Sequence, residues 1–361
     1  MQNPRVPVLN PDGSPAMPTT ASRARRWLEA DKAKVVYNDL NIFQVQLYSE
    51  PSGRDTQSVV LGIDPGKLYT GMAAQSAKAT LFMAHLQLPF QTIKDRMEQR
   101  RIMRRNRRYR KCRRRPARFS NRRFKKVPPS IKANRQLELR VAKELCAIYP
   151  ITSIALEVVK ARGSKSFSPV MVGQFWMLSM LQAMRPTEQK FGWETSQVRT
   201  FLGIDKQKHS KGDAIPATHA VDGVALACSV FIRYGIIDRQ TMGWKGEVII
   251  TPAPFAVIRR SPVSRRQLHL MVPASGGMRR KYGGTTTRHG FRKGDFVKAE
   301  QAGRVSVGWV SGDTERQVSV SDINWKRIAQ FIASKVYLIR RSTGLLVASN
   351  SKLSCSTTQY G

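Results

Sequence analysis

Three carboxylates and one imidazole occupy positions where solvation alone does not account for them. Asp64 ends the apolar run Val59-Val60-Leu61-Gly62-Ile63 and precedes Pro65-Gly66. Glu157 lies inside Ile154-Ala155-Leu156 and Val158-Val159, where an ionised group is costly to bury without a partner or a cation. His219 and Asp222 stand at i and i+3 in His219-Ala220-Val221-Asp222, on one face of a helix start. Each has an ordinary reading: Asp64 as a strand-to-turn residue, Glu157 facing water from an edge strand, Asp222 as a helix N-cap. Together they fit phosphodiester hydrolysis, in which two divalent ions bridged by Asp64, Glu157 and Asp222 activate a water and stabilise the leaving oxygen. Hard oxygen donors and a phosphate substrate favour magnesium, with manganese as a substitute. His219 positions or deprotonates the attacking water. Asp213 competes for the third place, since His209-Ser210-Lys211-Gly212-Asp213 also pairs a histidine with an aspartate. Asp222 is preferred because an apolar helix follows it directly, whereas Asp213 leads into Ile215-Pro216.

The charge between the first two carboxylates names the substrate class. Residues 96–126 hold seventeen Arg or Lys and one acid, Glu98. Such a run repels itself and needs a polyanion. It accounts for +16 of the net +38, and residues 245–361 for another +14, so two separate surfaces are expected to meet nucleic acid. An amphipathic membrane helix would need bulky apolar residues opposite the cations, and the run has almost none. Four scattered cysteines with no CxxC pair speak against a zinc ribbon and against a secreted disulfide scaffold, and a reducing cytoplasm fits. No apolar run approaches the ~20 residues of a membrane span, and the N-terminus lacks the apolar core of a signal peptide.

The elements that must carry these residues follow from pattern. Val6-Pro7-Val8-Leu9 enters a turn at Asn10-Pro11-Asp12-Gly13; Thr19-Thr20 or Ser22 caps a short helix through Trp27-Leu28; strands follow at 34–37 and 41–47. A new domain opens at Ser58 with a meander of three antiparallel strands, to Asp64, then 69–74 and 80–88. The basic run reads as a long helix broken at Pro116 and ended before Pro128-Pro129. Leu137, Val141, Leu145 and Ile148 have helical spacing; residues 151–159 form a strand; Val170 to Met184 is an apolar core helix around Trp176. Residues 200–216 read as a loop, and His219 begins a helix through Phe231. Without the basic insert this order resembles the ribonuclease H fold. Beyond Lys245, short strands with Gly-rich turns (247–250, 295–297, 304–307, and a last hairpin around Ser342-Thr343-Gly344) predict a small, mostly β domain.

Gly62-Ile63-Asp64-Pro65-Gly66, the Arg-rich helix, Ala155-Leu156-Glu157 and His219-Ala220-Val221-Asp222 resemble the split RuvC nuclease of the transposon-encoded IscB group, ancestors of type II CRISPR effectors. The N-terminal Val8-Leu9-Asn10 through Ala33-Lys34-Val35-Val36 is similar to that group's PLMP domain, with Ala16 where the naming motif has Leu. Only 62 positions separate Glu157 from His219, too few for the HNH domain inserted there in IscB, so the resemblance is to the HNH-lacking IsrB group. The absence of a Cys pair argues against the TnpB group. The fold class implied is α/β: a split RNase H-like (RuvC) domain interrupted by an Arg-rich bridge helix, with a small N-terminal α+β domain and a mostly β C-terminal domain. The implied bounds are 1–57 for the N-terminal domain, 58–90 for the first RuvC part, 91–127 for the bridge helix, 128–240 for the second and third RuvC parts, and 241–361 for the C-terminal domain.

The resemblance implies an ωRNA-guided DNA nickase cutting the non-target strand, with catalytic Asp64, Glu157, His219 and Asp222. Nucleic acid is expected at Arg100, Arg101, Arg104, Arg105, Arg107, Arg108, Arg110, Arg113, Arg114, Arg115 and Arg118 of the bridge helix. Further contacts are expected at Arg265, Arg266, Arg279, Arg280 and Lys281. Guanidinium forks there read backbone and shape, while the guide supplies the sequence. Its partners would be the ωRNA and a duplex target with a short flanking motif, bound by a monomeric protein in a cytoplasmic ribonucleoprotein. Two other readings share the carboxylates: an unguided junction-resolving nuclease, and a non-catalytic RNA-binding protein.

Overall fold

The computed structural model describes residues 4–110, 127–160, 168–204, 216–238, 241–262 and 287–349. Contacts divide these residues into two compact units that part between Ile258 and Arg259.

The first unit begins with β1 (Arg5–Leu9), β2 (Pro15–Thr20), α1 (Ala21–Glu29), β3 (Ala33–Val36) and β4 (Gln44–Leu47), in a sheet of order β2-β1-β4-β3. The β1–β2 turn is closed by Gly13 in the left-handed region, φ 82°, and Thr20 caps α1 by accepting from the Arg23 N–H at 3.3 Å. Strand β2 is not evident from sequence, because Pro15 and Pro18 remove two ladder donors; an edge strand tolerates that loss. Val6, Val8, Ala24, Ala33 and Val45 form this segment's core.

The meander follows as expected: β5 (Val59–Pro65), β6 (Tyr69–Ser76) and β7 (Ala79–Gln87), antiparallel throughout. Then come α2 (Phe90–Tyr109), α3 (Pro129–Ile148), β8 (Ser153–Val158), α4 (Pro169–Gln182), β9 (Thr187–Phe191), α5 (Gly192–Phe201) and α6 (Pro216–Cys228). Then come β10 (Arg233–Asp238), β11 (Thr241–Lys245) and β12 (Phe255–Arg260), of which the residues to Ile258 belong to this unit. The main sheet runs β12-β7-β6-β5-β8-β9, with β5, β8 and β9 mutually parallel. Parallel strands in the middle of a sheet are covered on both faces, which is why β5 and β8 read as continuous apolar runs. Leu137, Val141, Leu145 and Ile148 of α3 are buried. Thr70, reaching Glu138 of α3, marks the face that α3 covers; α6 covers the other through Val60, Ala155, Leu226 and Ala227.

Four sequence expectations change in this unit. Trp176 is half-buried rather than core, with the Lys132 ammonium 5.9 Å from its ring centre, and Phe175 and Met180 are exposed, so α4 packs by one side only. Residues 187–201 form β9 and α5, where no elements were expected. Residues 247–250 are not a strand; the Ile249 N–H donates to Ala77 instead. Helix α6 stops at Cys228, and the chain turns into the β10–β11 hairpin.

The second unit holds β13 (Phe296–Gln301), β14 (Arg304–Asp313), β15 (Gln317–Ser321), β16 (Arg327–Ile332) and β17 (Val336–Arg340), in an antiparallel sheet of order β16-β15-β14-β13-β17. Its core is Val297, Ala299, Val310, Val318, Val320, Phe331 and Val336. The last hairpin does not form: β17 pairs with β13, and β18 (Leu345–Ser349) lies outside this sheet. Buried Asp295 ties the chain down between them, accepting from the Ser342 N–H and from Arg341, each at 2.8 Å.

Candidate metal centre

Pairing register aligns the site residues across four strands. Asp64 stands opposite Gly71 on β6, and Gly71 opposite His85 on β7, so these positions share a face. On the other side, Ile63 pairs with Leu156 in the parallel β5–β8 ladder, which brings Glu157 next to Asp64 at the strands' C-terminal ends. Gly71 leaves the row open in the middle. A Cβ added there would overlap the carbonyl of His219, and one at Gly62 would overlap Gly223 of α6. These two gaps let α6 settle on the sheet with its backbone in van der Waals contact. His219 then lies over β6, and Asp222 follows one turn later. The ligand atoms of Asp64, His219 and Asp222 all lie within 4.8 Å of one another.

Two ordinary readings are excluded by this geometry. Helix α6 begins at Pro216, so Asp222 sits in its second turn and caps nothing; it is 4% exposed. Strand β8 is flanked by β5 and β9, so Glu157 is not on an edge. Glu157 stands outside the 4.8 Å group, its Oε2 accepting from the Thr195 hydroxyl at 2.7 Å.

The neighbours that position the site were not found from sequence. Helix α5 starts beside Glu157: a Cβ at Gly192 would come within 3.2 Å of Oε1. One turn on, Thr195 holds Glu157, and a further turn on, Arg199 Nε lies 3.2 Å from Asp222 Oδ1. The Thr-x-x-x-Arg spacing is the available signal, but without knowledge of α5 it reads as solvated surface. His219 is also one of three rings: Tyr69–His85 centroids are 5.0 Å apart, Tyr69–His219 5.4 Å and His85–His219 5.3 Å. Burial first, and the His219 charge second, push His85 down to about 3, so this ring is neutral. Its Nδ1 is buried without a hydrogen-bond partner among the described residues. The signal was a lone histidine within Leu81-Phe82-Met83-Ala84-His85-Leu86. On the opposite face, Glu138 accepts from Thr70 at 2.6 Å and from Arg135 at 2.7 Å, while the Asn134 amide donates to the Lys67 carbonyl at 2.8 Å. Helix α3 thereby braces the β5–β6 turn that follows Asp64.

Two carboxylates and an imidazole form a donor set for a hard or borderline divalent cation, with Glu157 next to it on β8. Of the expected nucleic-acid contacts, Arg100, Arg101, Arg104, Arg105, Arg107 and Arg108 project from α2, which buries no side chain, and Arg110 ends it. Arg101 pairs with Glu98 at 2.7 Å. Arg113, Arg114, Arg115, Arg118, Arg265, Arg266, Arg279, Arg280 and Lys281 lie outside the described residues, as do Pro116, His209 and Asp213. Among the described residues no helix is long and apolar enough to cross a membrane.

Residues 6–169 match the family model described as RRXRR protein, a span that contains Arg104-Arg105-Asn106-Arg107-Arg108 on α2. No curated protein matches the chain. Among solved structures, the chain is similar to T. thermophilus RuvC in complex with a Holliday junction substrate. The identity is 15% and the TM-score 0.26, over 47% of this chain and 90% of that one.

Proposed function

We propose that this protein is a metal-dependent, RNA-guided DNA endonuclease that nicks one strand. The observation that carries the reading is the convergence of Asp64, His219 and Asp222 within 4.8 Å, with Glu157 beside Asp64 in register. The strand order β7-β6-β5-β8-β9, antiparallel then parallel, supports a ribonuclease-H-type frame, the resemblance drawn from sequence. A magnesium ion held by Asp64, Asp222 and Glu157 would offset charge on the phosphate and make water more acidic. His219, held on α6 with its ring against Tyr69 and His85, would take the proton of the attacking water. Arg199 and Thr195 hold Asp222 and Glu157 in place. The arginines of α2 grip phosphates without reading sequence. The short interval between Glu157 and His219 leaves no room for a second nuclease, which favours a nick in the non-target strand.

The test is a supercoiled plasmid carrying a matched target. It is incubated with magnesium, the full-length protein and the non-coding transcript flanking its gene. Open circles are expected, lost in Asp64→Ala and Glu157→Ala. Linear product from the wild type would overturn nicking. Cutting of branched DNA without RNA would replace guidance with junction resolution, and tight RNA binding without any metal-dependent cleavage would remove the catalytic reading.

A further inference from the structure

Three aromatic rings meet over β6. The Tyr69 and His85 centroids are 5.0 Å apart with their planes at 30°, and they lie 5.4 and 5.3 Å from the His219 centroid, at 35° and 37°. We propose that Tyr69 and His85 are positioning residues, which hold the His219 imidazole in one orientation toward Asp64 and Asp222. The proposal deepens the nuclease reading above and rests on it for the task that His219 performs.

The helix alone does not aim this ring. His219 is the fourth residue of α6 and is only partly buried. A helical histidine keeps two favourable χ1 wells and a broad χ2, so α6 delivers the residue without fixing its imidazole. The sheet supplies the rest. Tyr69 and Gly71 point to the same face of β6, and Gly71 pairs with His85 on β7, which makes Tyr69 the diagonal neighbour of His85. Gly71 carries no side chain between them, and the His219 carbonyl comes down at that gap. The His219 backbone is thus set over the sheet, and its ring meets the two rings that the strands present.

These two rings are well anchored. His85 is 1% exposed, and β7 is paired on both sides, by β6 and by β12. Tyr69, at the start of β6, stacks on His85. Groups held by strands keep a position more closely than groups held by loops. An aliphatic side chain would fill the same space, but flat faces resist rotation of a neighbouring ring about χ2. That rotation matters here, because the His219 ligand atom lies within 4.8 Å of those of Asp64 and Asp222. Misplacement of a reacting group by ~1 Å costs up to ~100-fold in rate.

Two measurements on the full-length protein test the clamp. The first needs neither nucleic acid nor metal. In protein with isotope-labelled histidine, the five histidines give ring-proton signals assigned by substitution, and the ring currents of Tyr69 and His85 displace the His219 signal. His85→Ala and, separately, Tyr69→Leu are expected to move it toward the position of an exposed histidine, and His85→Phe to restore much of the displacement. The second is the plasmid assay above. His85→Ala is expected to lower kcat about 10–100-fold with KM unchanged, and His85→Phe to recover most of that loss. Should His85→Ala melt early, Tyr69→Leu at its half-buried position carries the same test. A His219 signal unmoved in both variants overturns the clamp. So does an equal loss of kcat in His85→Phe and His85→Ala, which would assign the role to the His85 nitrogens. A rise in KM with kcat intact overturns it as well, since the rings would then serve binding. A displaced signal with no cleavage by the wild type supports the clamp and sinks the nuclease reading alone.

Discussion

At the scale of single residues, the site depends on groups that hold the carboxylates as much as on the carboxylates themselves. Arg199 and Thr195 act through Asp222 and Glu157. Arg199→Gln and Thr195→Val are each expected to lower the cleavage rate about 10–100-fold, the usual cost of removing a group that orients a metal ligand. Single-turnover rates with saturating magnesium measure it, and wild-type rates in both variants would refute the assignment. His85 makes a separate prediction about stability. Its folded value of about 3 lies below the ordinary 6.5, so the unfolded chain takes up a proton that the folded chain refuses. Stability is full above about pH 6.5 and declines as the pH falls toward 3, by at most ~1.4 kcal/mol per pH unit. His85→Phe keeps the stacked ring and removes the titration. Its melting temperature is expected to fall less steeply between about pH 6.5 and 4 than that of the wild type, and parallel curves would refute the cause.

Two devices at the scale of elements bring α6, β5 and α3 together. Gly71 and Gly62 allow α6 to touch the sheet, and Gly71→Ala places a methyl group against the His219 carbonyl. Overpacking of this kind costs about 1–3 kcal/mol, and here it also lifts His219 and Asp222 away from Asp64. Urea denaturation is expected to show the loss of stability, and calorimetry a weaker magnesium affinity. The second device is the buried pair Arg135–Glu138, with side chains 7% and 0% exposed. Glu138→Ala strands a buried guanidinium and is expected to destabilise by ~3–5 kcal/mol, whereas replacing both partners with apolar residues restores much of it. Additive losses in the double variant would show that the two side chains act independently. The elements that sequence reasoning found, β5 to β8, α3 and α6, are those with long apolar patterns. It missed β9 and α5 because Thr187–Phe201 is mostly polar, and α5 buries only Thr195 and Val198.

At the scale of the whole molecule, charge outweighs every other feature. Helix α2 carries its arginines on a scaffold with no buried side chain, so exchanging them should leave the fold intact and alter only binding. Replacing Arg100, Arg101, Arg104, Arg105, Arg107 and Arg108 by Gln is expected to reduce the slope of log K against log salt by up to about 5, at about 0.9 for each phosphate no longer neutralised. Titrations between about 0.1 and 0.4 M salt read this slope directly. A slope within about one unit of the wild type would mean that α2 does not meet the nucleic acid.

From the sequence alone come the strongly basic character of the chain, the three-stranded meander, and the placement of Asp64, Glu157 and Asp222 at or within apolar segments. Each of these is a local property, set by composition or by a period of about two or 3.6 residues. Whether the carboxylates meet is not local. It depends on the register that sets Asp64 beside Glu157 and opposite Gly71, and on gaps at Gly62 and Gly71 that receive α6 from far along the chain. Pairings across such separations leave no periodic trace. For the same reason Arg199, Thr195 and His85 became site residues only once the tertiary structure brought their elements together.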